Sequence, residues 1–302
     1  MKMSEAKLSS TELINLLKSS NYAKFKEIVS AHFSRNRTDH VSGLKLIRTI
    51  ANFAYDEKSQ NEKFVEIVEY CKLANDTVIQ NVPSSQLNDN LLKELFICSI
   101  HIMNRLIKLK FISSVNSFWS EFFKLSSKLK DQSLIHSRAY SLYAELWNFA
   151  VEREGSTVQE RLCLIEIARG ALEFQLLIKN TDKFSVAKFV DKVSRIGKMF
   201  AQKDSSKPVM EKLTSTIVEL SSKLSDNRRL EDFAVLVYEI YFMFSPQWLA
   251  ECLTPVRSLL GPGHQSLVEM LEMFTRIHCG EEVMSLPNRQ EQLCDRQGSV
   301  MF

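Results

Sequence analysis

The sequence predicts an all-α protein, an irregular solenoid of stacked antiparallel helix pairs, and three observations lead there. Glycine and proline are scarce, eight and six in 302 residues, and neither occurs between Pro83 and Gly155. Turns between strands would need them. Apolar residues recur with the helical period along almost the whole chain, with no convincing alternation of the kind a strand requires. Several segments carry an apolar face wider than one hairpin partner can cover, and a helix in a stack needs such a face because it meets both its hairpin partner and the next pair.

The helices follow from start signals in chain order. Ser9 precedes Glu12 by three residues, and Ser156 precedes Gln159 by three, the spacing of a capping box that satisfies orphan N–H groups. Asn21, Asp39, Ser59, Ser85, Ser113, Asp131, Asp182, Ser206 and Ser245 are further caps, the last followed by Pro246 at a first helical position. These signals predict about thirteen helices, at 10–19, 22–33, 39–55, 59–81, 85–110, 113–129, 131–153, 157–180, 182–203, 206–224, 228–244, 246–260 and 264–279. From Gly280 the apolar period is lost, so 280–302 is expected to be a flexible tail behind one helical domain over 1–279. Pair starts near 21, 59, 113, 157, 207 and 246 give a repeat of roughly 40 to 50 residues, longer and less regular than a 34-residue tetratricopeptide repeat. The expected fold is therefore tetratricopeptide-like but degenerate.

The segment HSRAYSLYAELWNFAVE shows the width of these faces. At 100° per residue Tyr140, Tyr143, Ala144, Trp147 and Val151 make one stripe, and Ala139, Leu142, Leu146, Phe149 and Ala150 a second beside it. Tyr140, Tyr143 and Trp147 are thus candidates for a buried contact, and cutting a buried Trp147 back to alanine is expected to cost about 3–5 kcal/mol. The run VLVYEIYFMFSPQWL, with Tyr238, Tyr241 and Trp248, is also bulkier than one hairpin contact requires. Burial in the stack is its expected role, and a groove for a partner's helix is the alternative.

Composition narrows the function. Hydrophobic residues make up 45%, charged residues 25%, and the formal net charge is +3, a globular mix without the basic concentration that nucleic acid demands. The six cysteines are widely spaced and read as reduced core thiols, the N-terminus has no apolar signal core, and the apolar run at 235–244 is too short to span a bilayer. A cytoplasmic or nuclear protein without membrane contact is expected. No phosphate-binding glycine loop, dinucleotide fingerprint, H-E-x-x-H pair or nucleophile elbow occurs, so no cofactor and no catalysis are expected. Three weaker constellations remain. Cys98 and His101 could face one another as thiol and base. His278, Cys279 and Cys294 lack a fourth zinc ligand. Asn88, Asp89 and Asn90 are the nearest approach to the aspartate clusters of prenyl-chain synthases, whose all-α fold is the enzymatic alternative, with an aromatic pocket around Tyr140 to Trp147. Lys124, Lys128, Lys130, Arg228 and Arg229 read as solvated helix faces. A proteasome-lid solenoid is disfavoured because 264–302 does not resemble a winged helix.

The order of LLKELFICSIHIMNRLIKL (91–109), AYSLYAELWNFAVE (139–152) and RLCLIEIARGALEFQLLI (161–178) resembles the N-terminal tetratricopeptide-like region of separase, the protease that opens cohesin, over about residues 20–180. In some insects that scaffold is a separate chain, three rows. The resemblance implies a scaffold in sister-chromatid separation, with a securin-like inhibitor or a separate separase protease subunit as partner. No histidine here is followed by glycine, so no catalytic residue is implied.

Overall fold

The computed structural model describes residues 9–56, 64–82, 89–129, 132–176, 184–224 and 229–280, with the side chains of 120–124, 126–127 and 132–141 outside that set. The described chain is all-α. It forms α1 (Ser10–Lys18), α2 (Tyr22–Arg35), α3 (His40–Asp56), α4 (Phe64–Asn81), α5 (Asp89–Leu109), α6 (Ile112–Lys128), α7 (Gln132–Glu152), α8 (Val158–Leu176), α9 (Val186–Lys203), α10 (Lys207–Lys223), α11 (Leu230–Phe244), α12 (Leu253–Leu260) and α13 (Gln265–His278). No strand occurs among the described residues. Two compact units are present, Met1–Ile196 and Gly197–Phe302.

Local chemistry explains most boundaries. Ser9 Oγ accepts from the Glu12 amide at 3.4 Å, Asn21 Oδ1 from Lys24 at 3.2 Å, and Asp39 Oδ1 from Ser42 at 3.0 Å, each satisfying a donor at a helix start. The capping box expected at Ser156 and Gln159 lies one residue on. Thr157 Oγ1 accepts from the Glu160 amide at 3.2 Å, while the Glu160 carboxylate accepts from the backbone N–H of Thr157 at 3.3 Å and of Ser156 at 2.7 Å.

Other expected caps are corrected. α6 begins at Ile112, so Ser113 is inside the helix. Ser206 precedes α10 without a side-chain cap, and Ser245 donates instead to the Ser205 carbonyl at 2.9 Å. The helix expected at 246–260 is a 3₁₀ segment, Pro246–Cys252, followed by α12, because Trp248 sits at φ −119° and ψ 17° and breaks the α geometry. Ser59, Ser85, Asp131, Asp182 and the 281–302 tail lie outside the described residues.

In the first unit, alternate helices run parallel. Lys26 pairs with Glu66 and Ser30 with Tyr70, both 40 residues apart, aligning α2 with α4. Arg48 pairs with Glu94, 46 residues on, and Tyr55 lies against His101 at the same spacing, aligning α3 with α5. Lys72 reaches Ser117 across α4 and α6, 45 residues apart. In the second unit Tyr238 meets Thr275, 37 residues on, and Phe242 meets His278, so α11 and α13 are parallel too. Substantial contacts among the described elements join helices that are near neighbours in chain order.

The cores are apolar and dense. α8 is buried on most of its circumference, from Cys163 to Leu176, and Gly170 takes the Trp119 indole of α6 where a side chain would otherwise stand: a Cβ there would meet Trp119 Nε1 at 1.7 Å. Trp119 also packs edge-on against Phe174, ring centroids 6.3 Å apart.

Candidate functional site

The aromatic cluster of α7 encloses a lysine of the same chain. Tyr143 is buried and Trp147 half-buried, and Lys192 of α9 lies 4.9 Å from the Tyr143 ring centroid and 5.9 Å from that of Trp147. Its Nζ also donates to the Tyr143 hydroxyl at 2.7 Å. Burial, with the nearby charge of Lys188, lowers the Lys192 pKa. A cation over an aromatic face attracts it through the ring quadrupole. The cluster thus fastens α9 to α7. The stripe carrying Leu142, Leu146, Phe149 and Ala150 is fully buried, whereas Ala144, Trp147 and Val151 on the other are half-covered. The side chain of Tyr140 lies outside the described set.

The segment 235–249 divides by position. Tyr238 and Tyr241 are buried, and their hydroxyls are hydrogen-bonded at 3.3 Å to those of Thr275 and Thr214. Trp248 is half-buried with Lys207 Nζ 5.1 Å from its ring centroid, and Lys207 also pairs with Glu251 at 2.8 Å. Phe242 and Met243, one turn beyond Tyr238, are exposed.

Those two residues open a groove of about 610 Å³ between α11 and α13, lined by Tyr238, Phe242, Met243, Phe274, Ile277 and His278 with Lys198 and Glu239 at its edge. Phe242 stacks on Tyr238 at 6.4 Å and meets His278 at 5.2 Å, while Lys198 and Glu239 neutralise one another at 2.8 Å. Sequence periodicity marked α13 as apolar but could not say which of its stripes the fold would cover.

A second groove, about 830 Å³, lies in the first unit and is lined by Lys108, Lys110, Glu145, Glu152, Arg153 and Glu160 among others. Its charges are of both signs. Glu160 is committed to the α8 cap, and the hydroxyl and amide of Ser156 hold its carboxyl below the ordinary value.

Most members of the sparse chemical constellations lie among the described residues. Burial, aided by the Glu94 charge, pushes the Cys98 thiol up to about 11, away from the thiolate that a nucleophile needs, and His101 meets Tyr55 edge-on. Asp89 pairs with Lys93 at 3.0 Å, and Arg229 with Asp232 at 2.9 Å. His278 packs on Phe242, Cys279 is exposed, and Cys294 lies outside the described residues. Among the described residues no group of three or more His, Cys, Asp or Glu side chains could hold a metal ion. No described helix is long and apolar enough to cross a membrane. Arg169 is held between two carboxylates of its own helix, Glu166 at 2.8 Å and Glu173 at 2.5 Å, which fixes charge inside α8.

No protein-family model matches the chain, and searches of curated proteins and of solved structures return no match.

Proposed function

We propose that the chain is a non-catalytic helical-repeat scaffold, a tetratricopeptide-like α-solenoid that binds a protein partner through the exposed side of α3 and α5. The observation that carries this reading is the parallel alignment of alternate helices at spacings of 37 to 46 residues. A stack of antiparallel pairs produces that alignment together with contacts that join helices near one another in chain order. Exposure supports the choice of side. Among the described residues of the first unit α3 exposes Val41 and Tyr55 and α5 exposes Ile97; the even-numbered helices expose Leu73 and Val158.

The resemblance to the separase scaffold gives the partners to try first, a separate separase protease subunit and a securin-like inhibitor. Co-elution of the purified chain with either one, weakened by Tyr55→Glu or Ile97→Glu at unchanged helicity, is the expected result. Failure to bind both, together with a melting temperature raised by a small metabolite or by magnesium diphosphate, would instead favour an all-α enzyme.

A further inference from the structure

We infer that the apolar face of α11 and α13 is a self-association surface whose occupant is the same face of a second copy of this chain. α13 carries two apolar stripes. Val268 and Leu271, with Thr275, are buried against the body of the unit, whereas Met270, Phe274 and Ile277, spaced by four and three residues, face outward. Their relative exposures are 41%, 47% and 53%, and Phe242 and Met243 on α11 add 48% and 59%.

Three features select a second copy. The first is shape: the depression between α11 and α13 suits a helix ridge with apolar residues at i, i+4 and i+7, and the outward stripe of α13 is such a ridge. The second is charge. Lys198 and Glu239 cancel at the groove edge, and Arg257 is paired with Glu272 of α13 at 2.6 Å, so two identical faces meet without like charges opposed. That neutrality gives an anionic lipid surface or a nucleic acid nothing to hold. The third is area. The five exposed side chains present roughly 500 Å² per copy, so a two-fold contact buries about 1,000 Å² before its polar rim is counted, at the lower limit for a specific interface. A reversible dimer with a Kd on the order of micromolar is what such an interface supports.

Sedimentation of the full chain over about 1–100 µM tests this. The expected result is a mass that rises from monomer to dimer across that range, with Phe274→Glu and Met243→Glu each weakening association at least about 100-fold while far-ultraviolet circular dichroism and the melting curve stay native. Leu73→Glu, at an exposed apolar position on α4 in the other unit, must leave the dimer unchanged. If one α11 or α13 variant fails to fold, the other decides. A wild-type chain that stays monomeric at 100 µM overturns the proposal, as does a dimer undiminished in the folded variants. Either outcome leaves the scaffold reading intact, because that reading rests on helix alignment.

Discussion

Two positions show how tightly side-chain identity is fixed. At Gly170 an added methyl collides with the ring of Trp119, and a buried indole wedged against Phe174 cannot swing clear as the tip of a lysine would. Gly170→Ala is therefore expected to cost about 2–3 kcal/mol, read as a lower urea midpoint, with part of the loss recovered when Trp119→Phe makes room. Lys110 is the converse case. It sits at φ 66°, just past the end of α5, where its amide bonds back to Leu106 and Ile107. Only glycine adopts that conformation without a Cβ penalty, so Lys110→Gly should raise stability by about 1 kcal/mol, and an unchanged or lower urea midpoint would contradict the strain. Trp147 was legible in the sequence as an anchor, but its surroundings were not. Lys192, 45 positions later in the chain, lies 5.9 Å from its ring centroid, and helical periodicity carries no information about a contact that distant. The expected cost of Trp147→Ala accordingly falls to about 2 kcal/mol, below the 3–5 kcal/mol typical of a fully buried tryptophan, as a thermal melt would read.

At the scale of the element, the helices were legible because their ends are written in local chemistry. Caps at Ser9, Asn21 and Asp39 bond to amides three residues on, a distance over which sequence alone suffices. The exceptions are equally local. Around α8, Ser156-Thr157 faces Gln159-Glu160, so two capping boxes in adjacent registers are chemically possible, and the carboxylate prevails over the amide because it accepts from three donors at once. That assignment is testable: Thr157→Ala should destabilise by about 1 kcal/mol, whereas Gln159→Ala should leave the urea midpoint within a few tenths. The 3₁₀ start after Pro246 escaped prediction for a different reason. Proline allows the first turn of either helix type, and the segment keeps the tighter 3₁₀ winding up to half-buried Trp248, whose φ of −119° and ψ of 17° lie outside α geometry with Lys207 over its ring.

For the molecule as a whole, the all-α class was visible in the scarcity of glycine and proline, while the grooves were not, because which of two apolar stripes on α13 stays uncovered depends on the placement of α11 and α12. One property is shared by four thiols and two phenols spread through both units. Burial raises the thiols of Cys71, Cys98, Cys163 and Cys252, with Cys98 reaching about 11 and Cys252 about 12, and it raises the hydroxyls of Tyr238 and Tyr241 as well. In each case the native state holds its proton more tightly than the unfolded chain, where thiols titrate near 8.5 and phenols near 10. The native state therefore binds more protons above pH 8.5, and stability must fall as pH rises. The contribution is fully present below about pH 8.5 and is progressively lost as pH climbs through 11 to 12, on the order of 1 kcal/mol per pH unit for each group whose unfolded form has ionised. Urea midpoints measured under reducing conditions should hold steady from pH 7 to 8 and drop by pH 10, and Cys252→Ala should flatten that drop relative to its own neutral-pH value. A midpoint constant to pH 10 would mean that the buried thiols and phenols reach water in the native state, against the enclosure that places Cys71 and Cys252 out of solvent contact.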